Sequence, residues 1–293
     1  MHVFVTGATG WVGSAIVKDL LDAGHSVSGL ARNSDKAAAL AATGAHVVHG
    51  TLEDLDLLRS AAAAADAVVH TAFNHDFSQF AANAAQDRLV IGTLGGALEG
   101  SQRPLLVTSG LARLAQGRAA TEADLPGAQS PRQSEAAAQA LAARGVCAAT
   151  VRLAPSVHGL GDYGFVPLLI RLAREKGVSA YIGEGNNRWA GVHRPDAARV
   201  YRLALEQGVT EPVYHAVAEE GVAFRQIAQC IGRRLGLPVE SRAREHFGWF
   251  ADFAAADMWA SSARTRAALG WEPTGPGLLA DLDQAAYYGK APS

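Results

Sequence analysis

Met1-His2-Val3-Phe4-Val5-Thr6-Gly7-Ala8-Thr9-Gly10-Trp11-Val12-Gly13 opens the chain, and its reading decides the fold. Val3, Phe4 and Val5 are a short apolar run of β character. The glycines at 7, 10 and 13 form a turn, and Ser14 to Leu21 then places Ile16, Val17, Leu20 and Leu21 at helical spacing. Strand, glycine turn and helix in that order make a phosphate site: the helix N-terminus offers unpaired N–H groups and partial positive charge, and residues without Cβ let a pyrophosphate reach the backbone. A glycine triplet alone is a weak signal. At the head of a βαβ unit it reads as a dinucleotide site lined by Thr6, Gly7, Gly10, Trp11, Val12 and Gly13.

The rest of the first half keeps this rhythm. Strands are predicted at Ser26 to Ala31, Ala45 to His49, Ala67 to Ala72, Arg103 to Gly110 and Cys147 to Arg152. Helices are predicted from Ser34, around Leu55 to Leu58, from about Ser78 to Gly100, and from Ser134 to Arg144. Such alternation means parallel crossovers, so the fold class is α/β, a Rossmann-type doubly wound parallel sheet. Residues 1–159 form the dinucleotide-binding domain. Residues 160–293 form a smaller mixed α/β region for substrate, with about 190–216 returning to the main sheet and Val213 to Ala216 as a further strand. Phe247, Trp249, Phe250, Phe253, Met258 and Trp259 wall a ligand, or, as helical aromatics more often do, form core or a homodimer surface.

With 26 basic and 28 acidic residues among 293 and no basic run, the composition argues against nucleic-acid and anionic-membrane partners and leaves a small-molecule substrate. Cys147 and Cys230 make neither a disulfide framework nor a metal cluster, and no His/Cys/Asp/Glu set has metal-ligand spacing, so no metal is expected. A reducing, cytoplasmic location is the expectation, since the apolar N-terminal stretch is too short for a signal peptide or a membrane span. A serine hydrolase is disfavoured, because no Gly-x-Ser-x-Gly surrounds Ser109.

The end of the second strand bears on the cofactor. An acidic residue there bonds the ribose 2′-OH of NAD, whereas an arginine accommodates a 2′-phosphate. The sequence has Ala31 and then Arg32, with Ser34 and Lys36 close by, so NADP(H) is favoured over NAD(H). The plainer reading of Arg32 is a solvated residue opening the next helix.

With these residues in place, the chain resembles the extended short-chain dehydrogenase/reductase superfamily of epimerases, dehydratases and reductases. The resemblance rests on the Thr6 to Gly13 turn, Asp66 to Ala72, Arg152 to Gly159, Val192-His193-Arg194-Pro195-Asp196-Ala197-Ala198 and Leu269-Gly270-Trp271-Glu272-Pro273. It implies that Thr71 and Ala72 after strand four, Leu52 after strand three, and Pro155 and Val157 after strand six also touch the cofactor. The family's catalytic Tyr-x-x-x-Lys is missing: by register Pro131 stands in the tyrosine's place and Glu135 in the lysine's, and no tyrosine in the chain is followed four residues later by lysine. The chain therefore looks like the atypical branch of the superfamily, whose acid/base assignment does not carry over.

Hydride transfer to a carbonyl still needs a proton donor at the developing alkoxide. Ser109 is the candidate substrate-orienting hydroxyl. His158, Tyr163 and His193 are the catalytic candidates beside it, with His75 and Asn74 in the strand-four loop, while His70 reads as structural. Each solitary histidine also has the ordinary reading of a surface or hydrogen-bonded structural residue. Two functions are open: an NADP(H)-dependent oxidoreductase acting on a small carbonyl, alcohol or sugar-like compound, with an epimerase or dehydratase using bound NAD(P) as its variant, or a cofactor-sensing binding protein without catalysis.

Overall fold

Val3 and Val5 of strand β1 (His2–Thr6) point to one side of a sheet and Phe4 to the other, and all three are fully buried. That two-sided burial is why the run is continuously apolar rather than alternating. The structure, a computed structural model, describes residues 1–74, 76, 79–112, 114–127 and 132–289. His75 and Pro131, singled out in the sequence, lie outside the described residues.

After β1 come α1 (Trp11–Asp22), β2 (Ser26–Ala31), α2 (Ser34–Ala41), β3 (His46–His49), α3 (Leu55–Ala63), β4 (Ala67–His70), α4 (Phe80–Gly96), β5 (Leu105–Gly110), α5 (Ser134–Ala142) and β6 (Ala148–Leu153). The second half adds β7 (Ser156–His158), α6 (Phe165–Lys176), β8 (Ser179–Tyr181), β9 (Arg188–His193), α7 (Arg194–Glu206), β10 (Val213–Ala216), β11 (Glu219–Ala223), α8 (Phe224–Leu235), β12 (Val239–Ser241), α9 (Ala251–Ala255), α10 (Ala263–Leu269) and α11 (Leu278–Leu282).

Seven strands pair in the order β10-β6-β5-β4-β1-β2-β3, all parallel. Order reverses between β1 and β4, and the crevice outside their carboxyl ends is where such sheets bind ligands. One face is covered by Ile16, Val17 and Leu20 of α1 with Val200, Tyr201 and Ala204 of α7. The other is covered by Leu58 of α3, Val90, Ile91 and Leu94 of α4 and Leu141 of α5. Burying each large side chain contributes roughly 1.5–3 kcal/mol, so these two layers fix the sheet and the crevice with it.

Val213–Ala216 closes the sheet beside β6, with Val213 opposite Thr150. Two findings differ from the sequence expectation. The stretch after β6, for which no strand was predicted, contains β7, which pairs with β9 in a second sheet of order β11-β9-β7. Cys147, expected inside strand six, is half-buried just before it. A third sheet pairs β12 with β8. A separate aromatic core, with Trp189, Phe224 and Phe250 fully buried, fills the second half.

Candidate functional site

Two of the turn's glycines are sterically required. Gly7 has φ +69°, and a Cβ there would lie 2.6 Å from the Thr71 hydroxyl and 2.7 Å from the Ala72 nitrogen; at Gly13 it would lie 2.0 Å from the Gly7 carbonyl oxygen. Gly10 begins α1 with no side-chain cap, so the first-turn N–H groups of Trp11, Val12 and Gly13 have no partner within the helix. Thr71 closes the other wall by donating from its hydroxyl to the Thr6 carbonyl, 2.8 Å. Ala72 follows it on the half-buried segment after β4. This bare, positive cradle fits a dinucleotide pyrophosphate, with Thr6 to Gly13, Thr71 and Ala72 as the residues that would hold it.

Two flanks extend the cradle. On one, Arg32 is exposed directly past β2 and makes no hydrogen bond or ion pair among the described residues, while Asn33 caps α2 by accepting from the Lys36 N–H, 2.9 Å. Leu52 is half-buried on the segment after β3. On the other flank, the Trp11 indole donates to the Val157 carbonyl, 2.7 Å, tying the turn to the segment that holds Pro155 and Val157. Arg194 stacks over the Trp11 ring at 4.1 Å and donates to the Trp11 carbonyl and the Ser14 hydroxyl, each 2.6 Å.

Beneath the turn runs a buried chain of polar groups. Thr6 Oγ1 bonds His70 Nδ1 at 2.7 Å, and His70 Nε2 bonds Asp87 Oδ1 at 2.9 Å. The Ser134 hydroxyl donates to Asp87 Oδ2, 2.5 Å, and the Arg132 Nε donates to the Ser134 hydroxyl, 2.9 Å. Arg132 Nη2 donates in turn to the Thr108 carbonyl, 3.1 Å, with its guanidinium carbon 4.3 Å from the centre of the Phe73 ring. His70 is thus part of the scaffold. Arg132 was missed in the sequence, where its only signal is a cation one residue past the place of the absent tyrosine.

Ser109 follows Thr108 at the carboxyl end of β5, is 8 % exposed, and its hydroxyl makes no hydrogen bond among the described residues. The neighbouring Thr108 hydroxyl is bonded to the Tyr201 phenol, 2.8 Å, and burial pushes that phenol well above its ordinary range. Ser109 is therefore the hydroxyl at this edge able to meet a ligand.

Glu135, in the lysine's place by register, is buried and faces away from this chemistry. It accepts from Arg152 Nε at 2.8 Å and Nη2 at 2.5 Å. Arg152, fully buried on β6, also donates to the Thr121 and Asp124 carbonyls, 3.3 and 2.5 Å, and to His215 Nε2, 3.0 Å. A bidentate, hydrogen-bonded pair is the form in which two charges tolerate burial.

The other candidates lie on the small second sheet and beside Trp11. His158 is fully buried on β7, with Nδ1 2.6 Å from Asp281 Oδ2 of α11; desolvation pulls its pKa down against the raising effect of Asp281. Its Nε2 has no partner among the described residues, nor have Ser156 Oγ and the Trp189 indole nitrogen, which the pairing of Ser156 with Gly191 places on the same face of the small sheet. His193 precedes α7, is partly exposed, and lies 3.9 Å from the same Asp281 oxygen. Tyr163 is 68 % exposed, its ring edge-on to Trp11 at 5.8 Å. Of the aromatics expected to wall a ligand or form core, Phe247, Phe250 and Met258 are buried in the second core, Phe253 stacks on Phe250, and Trp249 is exposed.

A βαβ cradle at the reversal point of a doubly wound sheet defines a Rossmann-type nucleotide-binding protein. A family profile described as NAD(P)H-binding matches residues 7–155, and the chain belongs to that family. An uncharacterized protein of Schizosaccharomyces pombe is 48% identical over 98% of this chain and 100% of its own length. A 4-hydroxy-2-methyl-3-oxo-4-farnesyl-3,4-dihydroquinoline-1-oxide ketoreductase of Stigmatella aurantiaca is 29% identical, covering 85% of this chain and 80% of the relative. A dTDP-glucose 4,6-dehydratase double mutant from Streptomyces venezuelae, solved with NAD, superposes with a TM-score of 0.79 at 21% identity, over 99% of this chain and 97% of that one, which shows the shared fold.

Proposed function

We propose that the protein is an NADP(H)-dependent reductase of a small ketone, in which the Ser109 hydroxyl bonds the carbonyl oxygen. The observation that carries the cofactor half is Arg32: a cation exposed at the end of β2, without an ion pair among the described residues, where a 2′-phosphate would sit. The substrate half rests on the hydroxyl of Ser109, which no described residue engages at the edge of β5, and on the keto group named in a relative's activity. The ketone carbon takes a hydride from NADPH and its oxygen takes a proton, leaving an alcohol and NADP+. The half-exposed His193 and the exposed Tyr163 are the candidates to relay that proton. His158 is not, because its ring is fully enclosed.

Losing a charged phosphate contact costs about 1.5–3 kcal/mol. Arg32→Ala is therefore expected to weaken NADPH by roughly ten- to a hundredfold and leave NADH nearly unchanged in a fluorescence titration; equal losses for the two would remove Arg32 from the 2′-phosphate site. The same protein with NADPH and a panel of ketones and aldehydes should oxidise the cofactor. The scaffold role of Glu135 favours one second reading, a cofactor sensor without catalysis. Tight NADPH binding with no turnover on the panel, and a partner captured with NADP+ but not NADPH, would select it.

A further inference from the structure

At the carboxyl edge of β5, next to Ser109, sits a fixed cation that the family resemblance does not supply. Strand β4 ends at His70, which pairs with Val107, so β5 runs on past its neighbour. The Thr108 carbonyl, the next along β5, accepts from Arg132 Nη2 at 3.1 Å. The guanidinium therefore sits beyond the carboxyl end of β4, between the Phe73 ring at 4.3 Å and β5, within one residue of Ser109. Arg132 Nε is held by Ser134, and Ser134 by Asp87, whose other oxygen is taken by His70. An arginine tethered at two nitrogens and stacked on a ring has little rotamer freedom left to lose on binding, and its planar fork suits a carboxylate. Burial pulls its pKa down from the ordinary arginine value, with Asp87 and Tyr201 opposing; an arginine stays charged at neutral pH all the same.

We propose that Arg132 is a specificity-determining residue that binds a carboxylate on the substrate, so that the enzyme's ketones are oxo acids with the acid group close to the carbonyl. This rests on the ketone-reductase reading. Ser109 and Arg132 then divide the substrate between them: the neutral hydroxyl takes the carbonyl oxygen and the guanidinium takes the carboxylate. The reaction balances as ketone plus NADPH plus a proton to alcohol plus NADP+, with the carboxylate unchanged.

The test uses the whole protein saturated with cofactor, and three probes: acetoacetate, its methyl ester, and butyrate, which cannot be reduced. Acetoacetate should exceed the ester in kcat/KM by about tenfold or more, the worth of a charged hydrogen bond. Butyrate should bind the NADP+ complex by calorimetry. Arg132→Gln should erase both the acid preference and butyrate binding while NADPH affinity holds, and Arg132→Lys, which keeps the charge without the fork, should retain part of each even if the glutamine variant folds poorly. Equal turnover of acid and ester by the unaltered protein, with no butyrate binding, overturns the proposal and leaves the reductase reading standing. Arg132-dependent butyrate binding with no turnover of either ketone supports the anion site and sinks the reductase reading. Neither binding nor turnover overturns the proposal.

Discussion

Glu135 shows how a residue can occupy a catalytic register and serve the fold instead. Its carboxylate takes two nitrogens of Arg152, and both side chains are almost completely enclosed. Restoring the family's lysine there would set an ammonium against a buried guanidinium and leave Arg152 without its counter-charge, which costs about 3–5 kcal/mol for a broken buried pair. Glu135→Lys should therefore lose most of the soluble, folded protein, whereas Glu135→Gln, which keeps an acceptor, should fold with a lower urea midpoint. A Glu135→Lys variant as stable as the parent would refute the scaffold role. The sequence exposes the substitution but not its meaning. That a carboxylate cannot support a phenolate is plain from residue type, but its partner lies seventeen positions on, on β6, and only the packing of α5 against that strand brings them together. Arg132 was illegible for the same reason: a cation one place past a missing tyrosine looks like any solvated arginine until the end of β4 leaves a carbonyl for it to occupy.

Among elements, those whose signal is local and repeated were legible. β1, α1 and the turn between them follow from a two-sided apolar run, three glycines and a helical stripe, and the turn's sterics make Gly7 and Gly13 obligatory. A Cβ at residue 13 would stand 2.0 Å from the Gly7 carbonyl oxygen, so backbone must move to admit it. Gly13→Ala is expected to weaken NADPH and NADH alike by at least about tenfold, since a shift of the turn disturbs the pyrophosphate common to both; an unchanged affinity for either would place the cofactor elsewhere. Two family segments also find their cause here. Asp196 on α7 accepts from the backbone of Thr274 at 3.1 Å and Gly275 at 2.7 Å, and its carbonyl accepts from the Trp271 indole at 3.1 Å. The segment around His193 and the one around Trp271 are thus halves of one joint. The small sheet was not legible, because β7 is three residues long and its partner β9 begins thirty residues after it ends, too little pattern and too much separation for periodicity to reveal.

At the scale of the whole molecule, Arg152 on β6 ties β10, the edge strand contributed by the second half of the sequence, into the main sheet, and His215 is its contact there. His215 is fully buried on β10: its Nδ1 lies 2.7 Å from the Ser261 carbonyl, and Nε2 lies 3.0 Å from Arg152 Nη1. The carbonyl needs a donor and the guanidinium an acceptor, so the ring is held neutral, protonated at Nδ1. Burial brings its pKa down to about 4, with the Arg152 charge acting in the same direction and Glu122, the Ser261 carbonyl and Asp124 against it. An unfolded histidine titrates near 6.5, so between those values the unfolded chain binds the extra proton and stability rises with pH. Stability from this group is complete above about pH 6.5 and is lost as pH falls towards 4, a loss of order 3 kcal/mol. The depressed pKa of His158 adds to the trend with the same sign. Urea unfolding at pH 7, 5.5 and 4.5 checks this against His215→Gln, a neutral side chain with an acceptor for Arg152. The variant should be less stable at pH 7, and the gap should narrow by about 2 kcal/mol or more by pH 4.5, since only the parent has this proton to take up. Parallel pH profiles for the two proteins would mean that His215 does not carry the acid sensitivity, and that the contact between β6 and β10 loosens through the carboxylates around it instead.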